Sequence, residues 1–196
     1  MARVKLTEDL KKAISGLSHK EKDKLLFRLI AKEPMLAEQL VFKLLEDGIS
    51  AEDRRRDLAQ EIEQYLTDYQ KYYYSPGYLL LDLRSISGKI TQHVKTTKDK
   101  YGEISLNLLM LNKALALFGH KINQVRPHRS RTLSKYVINR AIKLVGLVRK
   151  IHEDYRLDFS EQMSQLGEHI QNIEVMKRMA NDFDIDMDLL LSGEVE

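Results

Sequence analysis

The side chains in this chain best equipped for chemistry are cations. Between His120 and Arg156 stand ten of them, Lys121, Arg126, Arg129, Arg131, Lys135, Arg140, Lys143, Arg149, Lys150 and Arg156, against only Glu153 and Asp154. From Leu157 onward the balance inverts, with ten acids against Lys177 and Arg178. The overall formal charge of +3 conceals this segregation, and segregated charge directs association more than a net total does. Arg126, Arg129 and Arg131 cluster around Pro127, while Lys135, Asn139, Lys143, Gly146 and Lys150 recur at intervals that lay them along one strip of a helix. Such a strip can neutralise the phosphates of a polyanion, with an affinity that falls steeply with salt. Guanidinium groups near a helix start add directed donors.

Two functions follow from the charge pattern. In the first, Arg126, Arg129, Arg131, Lys135, Arg140, Lys143 and Lys150 form a binding surface for a protein partner or a second copy, and Asp182, Asp184, Asp186 and Asp188 are its counterpart or regulator. Exposed ion pairs contribute roughly 0–1 kcal/mol each, so they orient a complex more than they stabilise a fold. In the second, the same surface binds nucleic acid. No helix-turn-helix, zinc-finger, RRM, KH or OB pattern accompanies it, which ranks that reading below the first.

The four aspartates alternate with Phe183, Ile185, Met187 and Leu189. A period of two suits an extended segment that joins a partner's strand edge, or an acidic tail lying on a basic surface. The segment resembles a calcium loop only superficially, because counting from Asp182 puts Met187 where that loop needs Gly and Gly193 where it needs a bidentate Glu, so divalent binding ranks low. Residues 182–196 are therefore read as a mobile acidic tail.

Catalytic groups are harder to assemble. Asp53, Asp57 and Glu61 recur every four residues on one helical face, the kind of face on which all-helical nucleotide pyrophosphatases hold Mg²⁺. Those enzymes pair ExxE with ExxD on two helices, and neither spacing occurs here. Magnesium-dependent nucleotide or phosphoester hydrolysis is thus the third reading, behind a solvated stripe salted by Arg54, Arg55 and Arg56. His19, His93, His120, His128, His152 and His169 form no HExxH and no compact ligand pair. Walker, Rossmann and GxSxG patterns are missing, and the lack of any Cys removes thiolate ligands and a catalytic thiol. A non-enzymatic protein with no metal site and no cofactor is the expectation. Tyr65, Tyr69, Tyr72, Tyr73, Tyr74 and Tyr78 gather at a helix junction, where packing between helices with hydroxyls at the rim is favoured over a base-stacking platform beside Lys71 and Arg84.

The elements that position these groups are all helical. Thr7 caps a short helix ending at Gly16, and Ser18 with Glu21 makes a capping box before Leu25, Leu26, Leu29 and Ile30. Pro34 opens a helix running to Gly48 with Leu36, Leu40, Val41, Leu44 and Leu45 inward, and Ser50 with Asp53 opens a longer one toward Tyr74. Ser75-Pro76 resets the chain, after which Leu79, Leu80, Leu83, Ile86, Ile90 and Val94 carry a helix to about Thr97. Lys98 to Gly102 reads as a turn. Ile104 to Val125 is apolar nearly all round and belongs at the centre. Arg126 to Ser130 reads as a loop, Leu133 to Tyr155 as helix, and Ser160 opens a last long helix through Met163, Leu166, Ile170, Ile173 and Met179. Gly119, Gly146 and Gly167 lie inside helices, where each costs about 1 kcal/mol relative to Ala, and close approach of a neighbour is the ordinary reason for that.

With 196 residues, three prolines and no Gly/Ser-rich linker, the reading is one helical domain over 1–181 followed by the tail. The fold class is all-α, with about eight helices in antiparallel hairpins, forming an irregular bundle or a short degenerate helical-repeat array. The charged N-terminal stretch lacks a signal-peptide core, and no apolar run approaches the roughly 20 residues that span a bilayer. A soluble cytoplasmic protein without membrane contact is expected.

Overall fold

The computed structural model describes residues 5–46, 51–183 and 187–193. Among them the chain is all-helical without a strand, in ten α-helices and two single 3₁₀ turns where the sequence predicts about eight helices. None of the described helices is long and apolar enough to cross a membrane. The chain divides into two compact units, residues 1–47 and 48–196.

The first unit holds α1 (Glu8–Ser15), α2 (His19–Lys32) and α3 (Pro34–Leu44). Its boundaries follow local chemistry. The Thr7 hydroxyl accepts from Leu10 N at 3.4 Å. At α2 the capping box closes reciprocally, with Ser18 N donating to Glu21 Oε2 at 2.9 Å and Glu21 N to Ser18 Oγ at 3.3 Å. Hydrogen bonds from the Ser18 side chain and backbone hold the Glu21 carboxyl below its ordinary range. Pro34 starts α3, where its missing amide hydrogen costs nothing. The predicted helix end at Gly48 and cap at Ser50 lie outside the described residues.

The second unit contains α4 (Ala51–Tyr69), α5 (Pro76–Thr97), α6 (Lys100–Gln124), α7 (Pro127–Val148), α8 (Ser160–Gln171), α9 (Glu174–Asp182) and α10 (Met187–Ser192). As the all-round apolar pattern requires, α6 is the core: Leu106, Leu108, Met110, Leu111, Ala114, Phe118 and Ile122 are buried, and α4, α5, α7 and α8 all pack on it. Further out, α7 also meets α5 and α9.

Several boundaries move, each for a physical reason. Lys98 takes a left-handed conformation (φ 63°) that ends α5, and Asp99 caps α6 at once, so Gly102 lies in the first turn of a helix and not in a loop. Pro127 occupies the first turn of α7, which converts the predicted Arg126–Ser130 loop into a helix start. α7 then ends at Val148, and 3₁₀ turns occupy Glu153–Tyr155 and Leu157–Phe159. α4 ends at Tyr69, short of the predicted Tyr74, and Tyr69 and Tyr73 both turn onto Phe118, with ring centroids 5.7 and 5.0 Å away.

The predicted last long helix breaks in two because Asn123, on α6, terminates both halves. Its Nδ2 donates to Asn172 O at 2.8 Å and its Oδ1 accepts from Glu174 N at 3.1 Å, satisfying the end of α8 and the start of α9. Beyond them Met187–Ser192 is helical and not extended. Leu190 is fully buried, Ser164 Oγ donates to Leu191 O at 2.7 Å, and Gly167 admits the backbone of α10, since a Cβ there would meet Leu190 C and Leu191 N at 3.3 Å.

Candidate functional site

The regular turn of α7 places positions 132, 135, 136, 139, 140 and 143 toward one side, and α5 contributes Arg84 opposite them. Together they enclose a groove of about 350 Å³ lined by Arg84, Thr132, Lys135, Tyr136, Asn139, Arg140 and Lys143. Four of these seven are cations and none is a carboxylate.

The floor is fixed by Tyr136. Its hydroxyl shares a 2.6 Å hydrogen bond with Ser87 Oγ and donates to Leu83 O at 3.2 Å, tying α7 to α5. Arg140 is held in place: Nη1 donates to Asn107 Oδ1 at 2.9 Å, and the guanidinium lies 5.4 Å from the Tyr136 ring centroid. A guanidinium restrained in this way loses less entropy when an anion arrives. Lys143 Nζ is paired with Glu103 Oε1 at 2.6 Å. Arg84 and Lys135 are exposed and enter no ion pair among the described residues. The groove therefore combines one pre-positioned cation, one partly neutralised cation and two available ones. Thr132 and Asn139 supply neutral donors beside them, which suits oxygen-rich anions.

The seven cations expected from the sequence do not form one surface. Lys135, Arg140 and Lys143 share the groove. Arg131 instead lines a second cleft of about 380 Å³ with His128, Glu174, Arg178 and Asp182, where Arg178 is already paired with Glu174. Arg126 caps the start of α7, Arg129 is exposed in its first turn, and Lys150 lies beyond its end, none of them lining either cleft. Of the acidic counterpart, Asp182 reaches the Arg131 cleft and Asp188 is exposed on α10. Asp184 and Asp186 lie outside the described residues. Arg84 was not among the predicted cations, because it is about fifty residues from them in sequence and joins them only through the packing of α5 on α7.

Two of the three carboxylates read as a possible metal face are occupied by cations, Asp53 by Arg56 and Glu61 by Lys89, and Asp57 is exposed. No metal-competent group of three His, Cys, Asp or Glu occurs among the described residues. In the tyrosine cluster, Tyr65 donates to Asp82 at 2.6 Å, a bond that with burial pushes its hydroxyl pKa up to about 12. Burial pushes up those of Tyr69 and Tyr73 as well. Tyr72, Tyr74 and Tyr78 are exposed.

A buried polar knot joins α4, α5 and α6. Asp99 accepts from Gly102 N at 2.8 Å, from Arg55 Nη1 at 3.2 and 3.1 Å, and lies 3.2 Å from His93 Nε2. Burial alone would raise its carboxyl pKa, but the hydrogen bonds to His93 and Gly102 and the Arg55 charge together hold it below the ordinary range. Arg55 also lies 4.7 Å from the Tyr101 ring centroid. Each carboxylate oxygen is committed to neighbours within the protein, so the knot acts as a helix clamp. Compared with known protein families, curated proteins and solved structures, the chain matches none.

Proposed function

We propose that this chain is a non-enzymatic binding module whose α5–α7 groove receives an acidic segment of a partner protein. The observation that carries the reading is the availability of Arg84 and Lys135 beside a restrained Arg140 in a concave site with no carboxylate in its lining. Recognition is electrostatic in its approach and bidentate at the two arginines. Asp182, beside Arg131 in the second cleft, is the described part of the acidic segment that we take as the groove's counterpart or regulator. The Arg140–Asn107 and Lys143–Glu103 contacts step in opposite directions along the two helices. We therefore take α6 and α7 as an antiparallel hairpin within an irregular bundle, a rigid backing for the groove.

A single strand of nucleic acid is the second reading, favoured by one feature: Tyr74 and Tyr78 are exposed with ring centroids 5.4 Å apart, and the outer face of α5 that bears Tyr78 also bears Arg84. Fluorescence anisotropy separates the two. A labelled acidic peptide and a single-stranded oligonucleotide of equal charge are titrated with wild type, Arg84→Glu/Lys135→Glu, and Tyr74→Ala/Tyr78→Ala. Peptide binding lost only in the charge variant supports the first reading. Oligonucleotide binding lost in both variants supports the second, and binding of neither probe rejects the groove as an anion site.

A further inference from the structure

The groove between α5 and α7 offers more donors than a carboxylate takes up. Its lining carries four cations and no carboxylate, and the neighbouring Glu103 pairs with Lys143 and with no other groove cation. Arg84, Thr132, Lys135 and Asn139 are exposed, and their side chains have no partner among the described residues. Arg140 is aimed by a relay from α6. The buried Asn107 donates from Nδ2 to Glu103 O at 2.6 Å, which turns its Oδ1 toward Arg140 Nη1 at 2.9 Å. One of the five guanidinium N–H groups is thereby engaged, and the rest have no hydrogen-bond partner among the described residues. Tyr136 sets the second arginine beside it. The Arg140 guanidinium lies 5.4 Å from the Tyr136 ring centroid, and the Tyr136 hydroxyl donates to Leu83 O, one residue before Arg84.

Two arginines so placed discriminate among oxyanions. A carboxylate has two oxygens and one charge, enough for a single guanidinium fork. A phosphodiester also carries one charge, so a nucleic-acid backbone satisfies the pair no better. A phosphate monoester carries about −1.5 to −2 at neutral pH on three terminal oxygens, enough for a fork from each helix at once. We propose that the groove recognises a phosphorylated serine or threonine, with Arg84 and Arg140 on the phosphoryl group. Lys135 and Lys143 flank Arg140 along α7 and meet acidic residues on either side of the phosphate. The proposal rests on the reading of the groove as the site of an acidic partner segment, and it names the chemical mark that segment carries. Length favours a peptide over a free phosphate compound. From Thr132 to Lys143 the α7 wall runs about 16 Å at roughly 1.5 Å per residue, room for about five extended residues at roughly 3.3 Å each.

The test is fluorescence anisotropy with the full chain and labelled peptides alike in their acidic flanks, bearing at the centre serine, phosphoserine, one glutamate or two adjacent glutamates. The two-glutamate form matches the charge of the phosphopeptide, so a difference between those two reports oxygen geometry and not net charge. The phosphopeptide is expected to bind at least about fivefold more tightly than the charge-matched form. Arg84→Lys and Arg140→Lys each keep the positive charge but lose the planar fork, and each should at least halve that ratio. Arg84 is exposed, so its variant reports even where Arg140→Lys disturbs packing. Free O-phosphoserine, which lacks the acidic flanks, should compete about a hundredfold more weakly than the phosphopeptide. Equal affinity for the phosphopeptide and the two-glutamate peptide overturns the inference while leaving the acidic-segment reading in place. Binding of none of the peptides removes that reading as well. A phosphate preference that survives both lysine variants overturns the assignment to these arginines, and competition by O-phosphoserine as strong as by the phosphopeptide overturns a peptide as the carrier.

Discussion

Replacing Gly102 by Ala should damage this protein in a way that helix propensity alone predicts to be beneficial. A Cβ at Gly102 would fall 2.2 Å from Asp99 Oδ2 and 2.7 Å from Asp99 Cγ, distances no real structure keeps. The carboxylate must swing away, and its restraints go with it: the cap bond from Gly102 N at 2.8 Å, the two bonds from Arg55 at 3.2 and 3.1 Å, and the contact with His93 at 3.2 Å. Loss of the cap costs about 1 kcal/mol. Stranding the largely buried Arg55 adds up to about 3 kcal/mol, and the better helix propensity of Ala returns no more than about 1. The net expectation is a loss of about 2–3 kcal/mol. At about 2–4 °C per kcal/mol for a domain of this size, that lowers the midpoint by roughly 4–12 °C in a thermal melt followed by circular dichroism. The same exchange at Gly88 and Gly146, where an added Cβ meets nothing within 4 Å, should instead stabilise by about 0.5–1 kcal/mol. A Gly102→Ala protein as stable as wild type, or a Gly146→Ala protein that loses stability, would refute the reasoning.

Other expectations follow from the same contacts. Because the folded-state pKa of Asp99 is depressed, its stabilisation is complete above the unfolded carboxylate value of about 4 and is lost as pH falls through the lower folded value. The stability gap between wild type and Asp99→Asn, measured by urea unfolding, should therefore be widest near neutrality and shrink in acid; a constant gap contradicts the assignment. Asn123→Ala removes both bonds at the α8–α9 junction and should cost about 1–2 kcal/mol, with faster amide exchange at Asn172 and Glu174. Gly167→Val drives a branched side chain against the α10 backbone and should open Met187–Ser192 to proteolysis while α4 to α7 keep their protection.

What was readable in the sequence is what local chemistry decides. The capping box at Ser18 and Glu21, the Thr7 cap, the Pro34 and Pro76 helix starts and the central position of α6 all depend on residues within one turn or one helical period of each other. What escaped depends on distant contacts. Asn123 splits the last helix from about fifty residues away, and Asp99 reaches Arg55 on α4. Arg84 joins the cations of α7 only because α5 packs beside them. Pro127 misled because proline signals a break and a helix start equally well, and the start prevailed. The helix at Met187–Ser192 is not legible in alternating residues, because Gly167 offers α10 a site on α8 that periodicity does not reveal. Close approach explains Gly119, where a Cβ would meet Ile173 Cδ1 at 3.3 Å, and Gly167, but not Gly146, for which nothing in the structure supplies a reason.

The account's central claim is that the α5–α7 groove binds an acidic partner segment through its available cations. The direct measurement is the salt dependence of binding for a labelled acidic peptide, comparing wild type with Arg84→Glu/Lys135→Glu. With Arg84, Lys135, Arg140 and Lys143 engaged, the account predicts that wild-type affinity falls as salt rises, because screening weakens each charge contact. It predicts that the double variant loses binding at least tenfold at low salt and that the loss narrows as salt rises. Equal affinity and equal salt dependence for the two proteins would contradict it.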